Sequence, residues 1–328
     1  MPAHNTPTSG FPKSVAASLC VSLAETITKI GPNFVQGHYD SFCQIAMQIL
    51  EQKAFCQQDP DQDEDEEAPE DQAEYDSVLI SSAGDLVAAL AGAFGPDFGQ
   101  AFTTFFPLIS KYYKKSRSLS DRSAAIGCLA EIISGMKGAI TPHTEPLLEL
   151  FFRALADDNN EVLSNAAFAT GLLIECSEID LSQQLGHILA RLHPIFVDIP
   201  QDAPATRLNA KDNAAGAVGR ILVRYSDKVP LDQVLPVFIN ALPLKNDYLE
   251  NRPVFRALFH LFTTNGAALH PYLDQILPVF AHVLDPNQPD QVGDEVRSEL
   301  IHLIPLINQT ESAKVQAAGL GPFLPGAQ

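Results

Sequence analysis

Apolar residues recur along this chain at the three- and four-residue spacing of amphipathic helices, with Gly, Pro or polar breaks between blocks. Val15, Leu19, Leu23, Ile27 and Ile30 mark one helical face over 13–30, and Gly31-Pro32 ends it. Six helix pairs are predicted to follow. Their first members span roughly 36–54, 98–115, 141–156, 183–197, 231–242 and 271–284. Their second members span roughly 74–93, 119–137, 160–175, 207–225, 248–264 and 292–307.

The pattern also repeats. Ala124-Ala125, Ala166-Ala167 and Ala214-Ala215 fall into register at spacings of 42 and 48, and Leu235-Pro236-Val237-Phe238 returns 42 residues later as Leu277-Pro278-Val279-Phe280. Gly31-Pro32-Asn33-Phe34 pairs with Gly95-Pro96-Asp97-Phe98 at a spacing of 64, the excess being an acidic insertion. Helical repeats of about 40–47 residues are the mark of HEAT or armadillo arrays. The expected fold is therefore all-α: a HEAT-repeat right-handed superhelical solenoid of about six helix pairs plus a partial N-terminal repeat. Residues 1–12 read as a flexible lead, 13–309 as the solenoid and 310–328 as a short tail. An acidic disordered loop, 57–73, is expected inside the first full repeat. The 13–30 helix resembles the second helix of later repeats and lacks a first-helix partner, which suggests a chain cut from a longer array.

Five of the six first helices carry a proline: Pro107, Pro146, Pro194, Pro236 and Pro278, with Cys43 at that place in the first pair. Proline inside a helix costs about 3 kcal/mol, so its recurrence points to a bend built into each repeat. The second helices are dense in Ala and Gly, as in Ala166 to Gly171 and Ala214 to Gly219. Small side chains let stacked helices approach closely. A glycine-rich phosphate cradle would need a preceding strand, and none is predicted.

Charge narrows the function. The net charge is −19, which argues against nucleic acid or an acidic membrane as partner and favours a basic one. Residues 59–76 hold eleven carboxylates and no Lys or Arg. Asp59, Asp61, Asp63 and Glu70 fit a calcium-loop spacing, but Glu64 stands where the sharp turn needs glycine. The run, with Asp61, Asp63, Glu64, Asp65, Glu66 and Glu67 at its centre, reads as a self-repelling solvated loop or as a polyanionic arm for basic cargo. Five scattered cysteines without a CxxC read as reduced thiols of a cytosolic or nuclear protein. No secretory h-region and no uninterrupted apolar stretch of membrane-spanning length is present. No metal, cofactor or catalytic constellation emerges from the nine histidines or from any Ser or Cys with a partner base, so no enzyme is expected. The bases of Tyr112-Tyr113-Lys114-Lys115, Arg117 and Arg122 read as solvated lysines and arginines rather than an RNA contact.

Polar residues recur at equivalent places on the second helices. Asn165 and Asn213 each precede an aligned Ala-Ala pair, with Ser123 one repeat earlier, and Glu161 and Asn209 lie one turn before them. Asp212 adjoins Asn213, and Glu250 opens the next second helix. Second helices of a HEAT stack line its concave side, where such a ladder offers amides and carboxylates to an extended, lysine-rich peptide. Glu161 and Glu250 read equally as helix-start residues that complement the dipole.

The segments SAGDLVAALA (82–91), SNAAFATG (164–171) and NALPLKND (240–247), running on into Tyr248-Leu249-Glu250-Asn251, resemble the C-terminal part of importin-beta-type karyopherins, nearest to the importin four branch and its fungal counterparts. The resemblance covers nearly all of 13–310. It implies a nuclear import receptor shuttling between cytoplasm and nucleus, with histones H3 and H4 and ribosomal proteins as basic cargo. It also implies nucleoporin and Ran-GTP contacts through an N-terminal part outside this chain. A lysine pocket would fall on Asn213 and Glu250 with Asn165 nearby, and Asn251 stands where relatives often carry a second acid. The competing reading is a structural HEAT scaffold that organises an enzyme or cytoskeletal complex.

Overall fold

Each block of helical periodicity becomes a helix. The computed structural model describes residues 12–58, 70–197, 199–200 and 202–326, and the acidic run from Asp61 to Glu67 lies outside them. Among the described residues there is no strand. The chain forms two compact units, one of residues 1–154 with 176–179, the other of 155–175 with 180–328.

The first unit holds α1 (Lys13–Ile30), the short α2 (Pro32–Val35), α3 (Tyr39–Leu50), α4 (Glu70–Phe94), α5 (Gly99–Ser110), α6 (Leu119–Met136) and α7 (Thr144–Ala154). Helix α4 lies between α1 and α6, with α3 against α4 and α5 against α6. The small residues decide how close these helices come. A Cβ built on Gly135 of α6 would sit 2.7 Å from the Gly92 backbone nitrogen of α4, so only glycine permits this crossing. Ser118 starts α6 by accepting the Asp121 N–H at 3.1 Å, one of the four amides a helix start leaves unpaired.

The second unit holds α8 (Asn160–Cys176, less its last residue), α9 (Leu185–Phe196), α10 (Ala205–Tyr225), α11 (Leu231–Asn240), α12 (Asn251–Leu269), α13 (Leu273–Leu284) and α14 (Asp294–Ala317). Helix α10 packs on α12 and α12 on α14. Gly219 makes the first of these crossings possible, since a Cβ there would lie 2.8 Å from the Pro253 carbonyl oxygen. The repeat seen in sequence is a repeat of burial. Leu235 and Phe238 in α11, and Leu277 and Phe280 in α13, are all buried, while Pro236 and Pro278 face solvent. Each such buried side chain contributes about 1.5–3 kcal/mol relative to an exposed one. The array is thus an all-α HEAT-type stack of helix pairs.

The helices that hold the five prolines keep helical dihedrals throughout. All five prolines lie on exposed positions: Pro146 is in the first turn of α7, where its missing N–H costs no helix bond, and at Pro107, Pro194, Pro236 and Pro278 water can satisfy the carbonyl each one frees. Non-helical dihedrals inside a long helix occur instead at Asn265 in α12 and Glu311 in α14. Helix α14 also runs past the expected end near 307, to Ala317, with Val315 buried beyond the break.

The described cysteines are free thiols, and Cys20, Cys43 and Cys128 are buried as small apolar groups. Burial pushes the Cys20 thiol up to about 12 and raises Cys128 further. The stretches Glu74–Ser110 and Leu119–Ala154 have the length and mean hydropathy of membrane-crossing helices, but each joins two helices of the stack and half of its most apolar window is buried inside the fold.

Candidate functional site

The expected polar ladder lies in the second unit, where the structure divides it into an outer and an inner row. Glu161 is exposed in the first turn of α8, and the cap there is Asn159, whose Oδ1 accepts the Glu161 N–H at 2.8 Å. Asn165 and Asn209 are half-buried, and Asn209 Oδ1 accepts from Asn246 Nδ2 at 2.8 Å.

The inner row faces the protein. Asp212 has no exposed surface, and its Oδ2 accepts the backbone N–H groups of Lys245, Asn246 and Asp247 at 2.7–3.0 Å. It clamps the α11–α12 loop onto α10. Burial pushes its pKa up, while the three amides and the nearby Lys211 ammonium pull it back. Asn213 Nδ2 lies 3.0–3.1 Å from Ser164 Oγ, the Asn209 carbonyl and Asp247 Oδ2. It therefore ties α8, α10 and the loop together.

Glu250 is 2% exposed and neither caps α12 nor opens to solvent. Arg220 Nη1 donates to its Oε2 and Nη2 to its Oε1, the latter at 3.1 Å, a two-pronged pair that suits the planar guanidinium. Arg220 Nε donates to Glu175 Oε2 at 2.9 Å, and its Cζ stands 5.6 Å from the Phe168 ring centre. Gly216 makes the room: a Cβ there would lie 1.5 Å from Glu250 Oε2. Burial pushes the Glu250 carboxyl up and Arg220 opposes that shift. Asp212, Asn213 and Glu250 are thus buried and bound internally, Asp212 through Oδ2 with its buried Oδ1 left unpaired, which corrects the expectation that they face an incoming lysine directly. Asn251, at the place of a possible second acid, is 2% exposed and donates to the Gln291 carbonyl at 2.9 Å.

Two features were not anticipated from sequence. The first is Arg220 itself, whose only signal is a lone charge one turn beyond Gly216 in a run of small residues. The second is a groove of about 910 Å³ in the first unit, floored by Ala88, Ala89, Gly92 and Gly135 and walled by Glu25, Asp85 and Glu131. Glu25 has Lys29 at 3.5 Å. Among the described residues no cation reaches ion-pair distance of Asp85 or Glu131. Both reach solvent at the groove mouth, yet partial loss of hydration raises the Asp85 pKa, and the same effect followed by the Asp85 charge raises that of Glu131. Among the described residues no set of His, Cys, Asp and Glu could hold a metal ion.

The chain is thus a stack of helix pairs that carries amides and carboxylates on its helix faces. No family model matches the chain. It is 39% identical over 269 residues to the probable importin subunit beta-4 of Schizosaccharomyces pombe, covering 80% of this chain and 24% of that protein. It is 29% identical over 284 residues to Homo sapiens importin-4, covering 86% of this chain and 25% of the relative. Mus musculus importin-4 is 30% identical over 298 residues, 90% of this chain and 24% of the relative. By this homology the chain belongs to the importin-4 branch of the karyopherins, and it spans about a quarter of the length of these relatives. Their names are those of importins, not enzymes. Among solved structures, Kap121p bound to RanGTP aligns at a TM-score of 0.47 and 14% identity, over 93% of this chain and 30% of that one, too loosely to place any residue.

Proposed function

We propose that this chain forms a cargo-binding part of a nuclear import receptor that shuttles between cytoplasm and nucleus and carries basic cargo such as histones H3 and H4 and ribosomal proteins. Its homology to importins over 80% of its length supports the receptor reading. One observation carries the sign of the cargo: Asp85 and Glu131 wall a wide groove in which the lining Lys29 pairs with Glu25, and no cation of the described residues reaches ion-pair distance of either. An extended lysine-rich segment supplies the missing charge, and the small residues of the floor leave room for its backbone. On the second unit the same segment class meets Glu161, Asn165 and Asn209, while Asp212, Asn213 and Glu250 hold those helices in place. Nucleoporin and Ran-GTP contacts are assigned to parts of the receptor outside this chain.

The test is a titration of histone H3 and H4 tail peptides, unmodified and lysine-acetylated, onto the protein. Binding of the unmodified peptides that weakens markedly by about 0.5 M salt, where exposed charges are screened within a few ångströms, supports the reading. Equal binding of acetylated peptides contradicts it, because acetylation removes the charge.

A further inference from the structure

On a chain of net charge −19, one surface has the opposite sign. The turn between α5 and α6 carries Lys111, Lys114, Lys115 and Arg117, and Lys53 stands near it from the turn after α3, so five of the 21 Lys and Arg gather at one place. Arg117 has Asp121 at 3.7 Å and Lys53 has Glu51 at 2.9 Å. Among the described residues Lys111, Lys114 and Lys115 have no ion-pair partner. Burial lowers the Lys111 pKa, and the Arg117, Lys114 and Lys53 charges add to that against the opposing Glu51, as crowded cations do.

The turn is rigid. Tyr112 is 1% exposed and its hydroxyl donates to the Leu50 carbonyl at 2.6 Å, while Tyr113 donates to the Arg153 carbonyl at 3.1 Å. The Arg117 N–H closes on the Lys114 carbonyl at 2.9 Å. Lys111 Nζ and Arg117 Cζ stand 5.1 and 4.9 Å from the centre of the Tyr112 ring, which fixes both stems. Lys111 and Arg117, held in this way, lose little entropy when an anion arrives.

We propose that this turn is a docking surface for a short carboxylate-rich segment of a partner protein. The observations favour that partner over nucleic acid. Stacking of bases needs an open aromatic face, and here the Tyr112 ring is buried and Tyr113 is half-buried, with its hydroxyl tied to the Arg153 carbonyl. A long polyanion would also run past the patch into the acidic remainder of the chain, whereas a short segment engages only the cations, within the screening distance of about 8 Å. The surface shares no residue with the groove or the ladder, so it stands whether or not the cargo reading does.

The experiment measures fluorescence anisotropy of labelled poly-glutamate on the intact chain, with oligouridine as a second probe. Lys114→Glu/Lys115→Glu changes only exposed side chains, and Lys228→Glu, remote in sequence, is the control. The double variant is expected to bind poly-glutamate about tenfold more weakly at low salt while the control matches the parent. The Lys111 ammonium, followed by NMR, is expected to titrate at higher pH when poly-glutamate is bound. Unchanged affinity in the double variant, or oligouridine binding tighter than poly-glutamate and lost in the same variant, would overturn the proposal.

Discussion

The two units use similar packing to opposite electrostatic ends. In both, glycines let neighbouring second helices cross closely, at Gly135 against Gly92 and at Gly219 against Pro253. In the second unit the space gained at Gly216 is filled by the Arg220–Glu250 pair, with Glu175 completing the charge around the guanidinium. In the first unit the small residues leave an open groove, and Asp85 and Glu131 keep their charges without a described partner. A carboxylate inside a filled crossing stabilises the stack. One at the wall of an open crossing remains available to another molecule.

Breaking the filled crossing should have the largest effect. Arg220→Ala leaves Glu250 buried and unpaired and is expected to destabilise the second unit by about 3–5 kcal/mol, read from urea denaturation. Gly216→Ala forces the Glu250 carboxylate out of its place and should cost about 1–3 kcal/mol. Asp212→Ala strands three backbone amides of the α11–α12 loop, with an expected loss of about 1–3 kcal/mol and faster amide exchange at Lys245, Asn246 and Asp247. Changes in the open groove should be smallest and of opposite sign. Asp85 and Glu131 fold with pKa values above their ordinary 3.8 and 4.5. The folded state then binds their protons more tightly than the unfolded chain does. Stability accordingly falls as pH rises through those ordinary values towards the raised ones, and the loss is complete above them. Asp85→Asn/Glu131→Gln should stabilise the protein at neutral pH by about 0.5 kcal/mol, since both groups are exposed and screened, and should be neutral below the ordinary carboxylate range.

Those contrasts also show what the sequence could and could not carry. Helix positions and the repeat were legible because they rest on local spacing: Leu235 and Phe238 recur as Leu277 and Phe280 and are buried alike. The polar ladder was legible as a set of positions, but not as a set of orientations. Glu250 meets Arg220 across 30 residues, and only the absent side chain of Gly216 lets it do so. Asp85 and Glu131 come from different helices, so nothing local marks them as neighbours. The non-helical dihedrals at Asn265 and Glu311 had no mark in the hydrophobic pattern either, because the apolar spacing runs on through both positions.

The central claim is that basic cargo meets the uncompensated carboxylates of the open groove. Titrating a labelled histone H3 tail peptide onto the parent and onto Asp85→Lys/Glu131→Lys tests it most directly, with melting temperature recorded for both. The account predicts binding about tenfold or more weaker in the variant, with a melting temperature no lower than the parent's, because two exposed charges are reversed and no packing is lost. Parent-like affinity in a folded variant would contradict it.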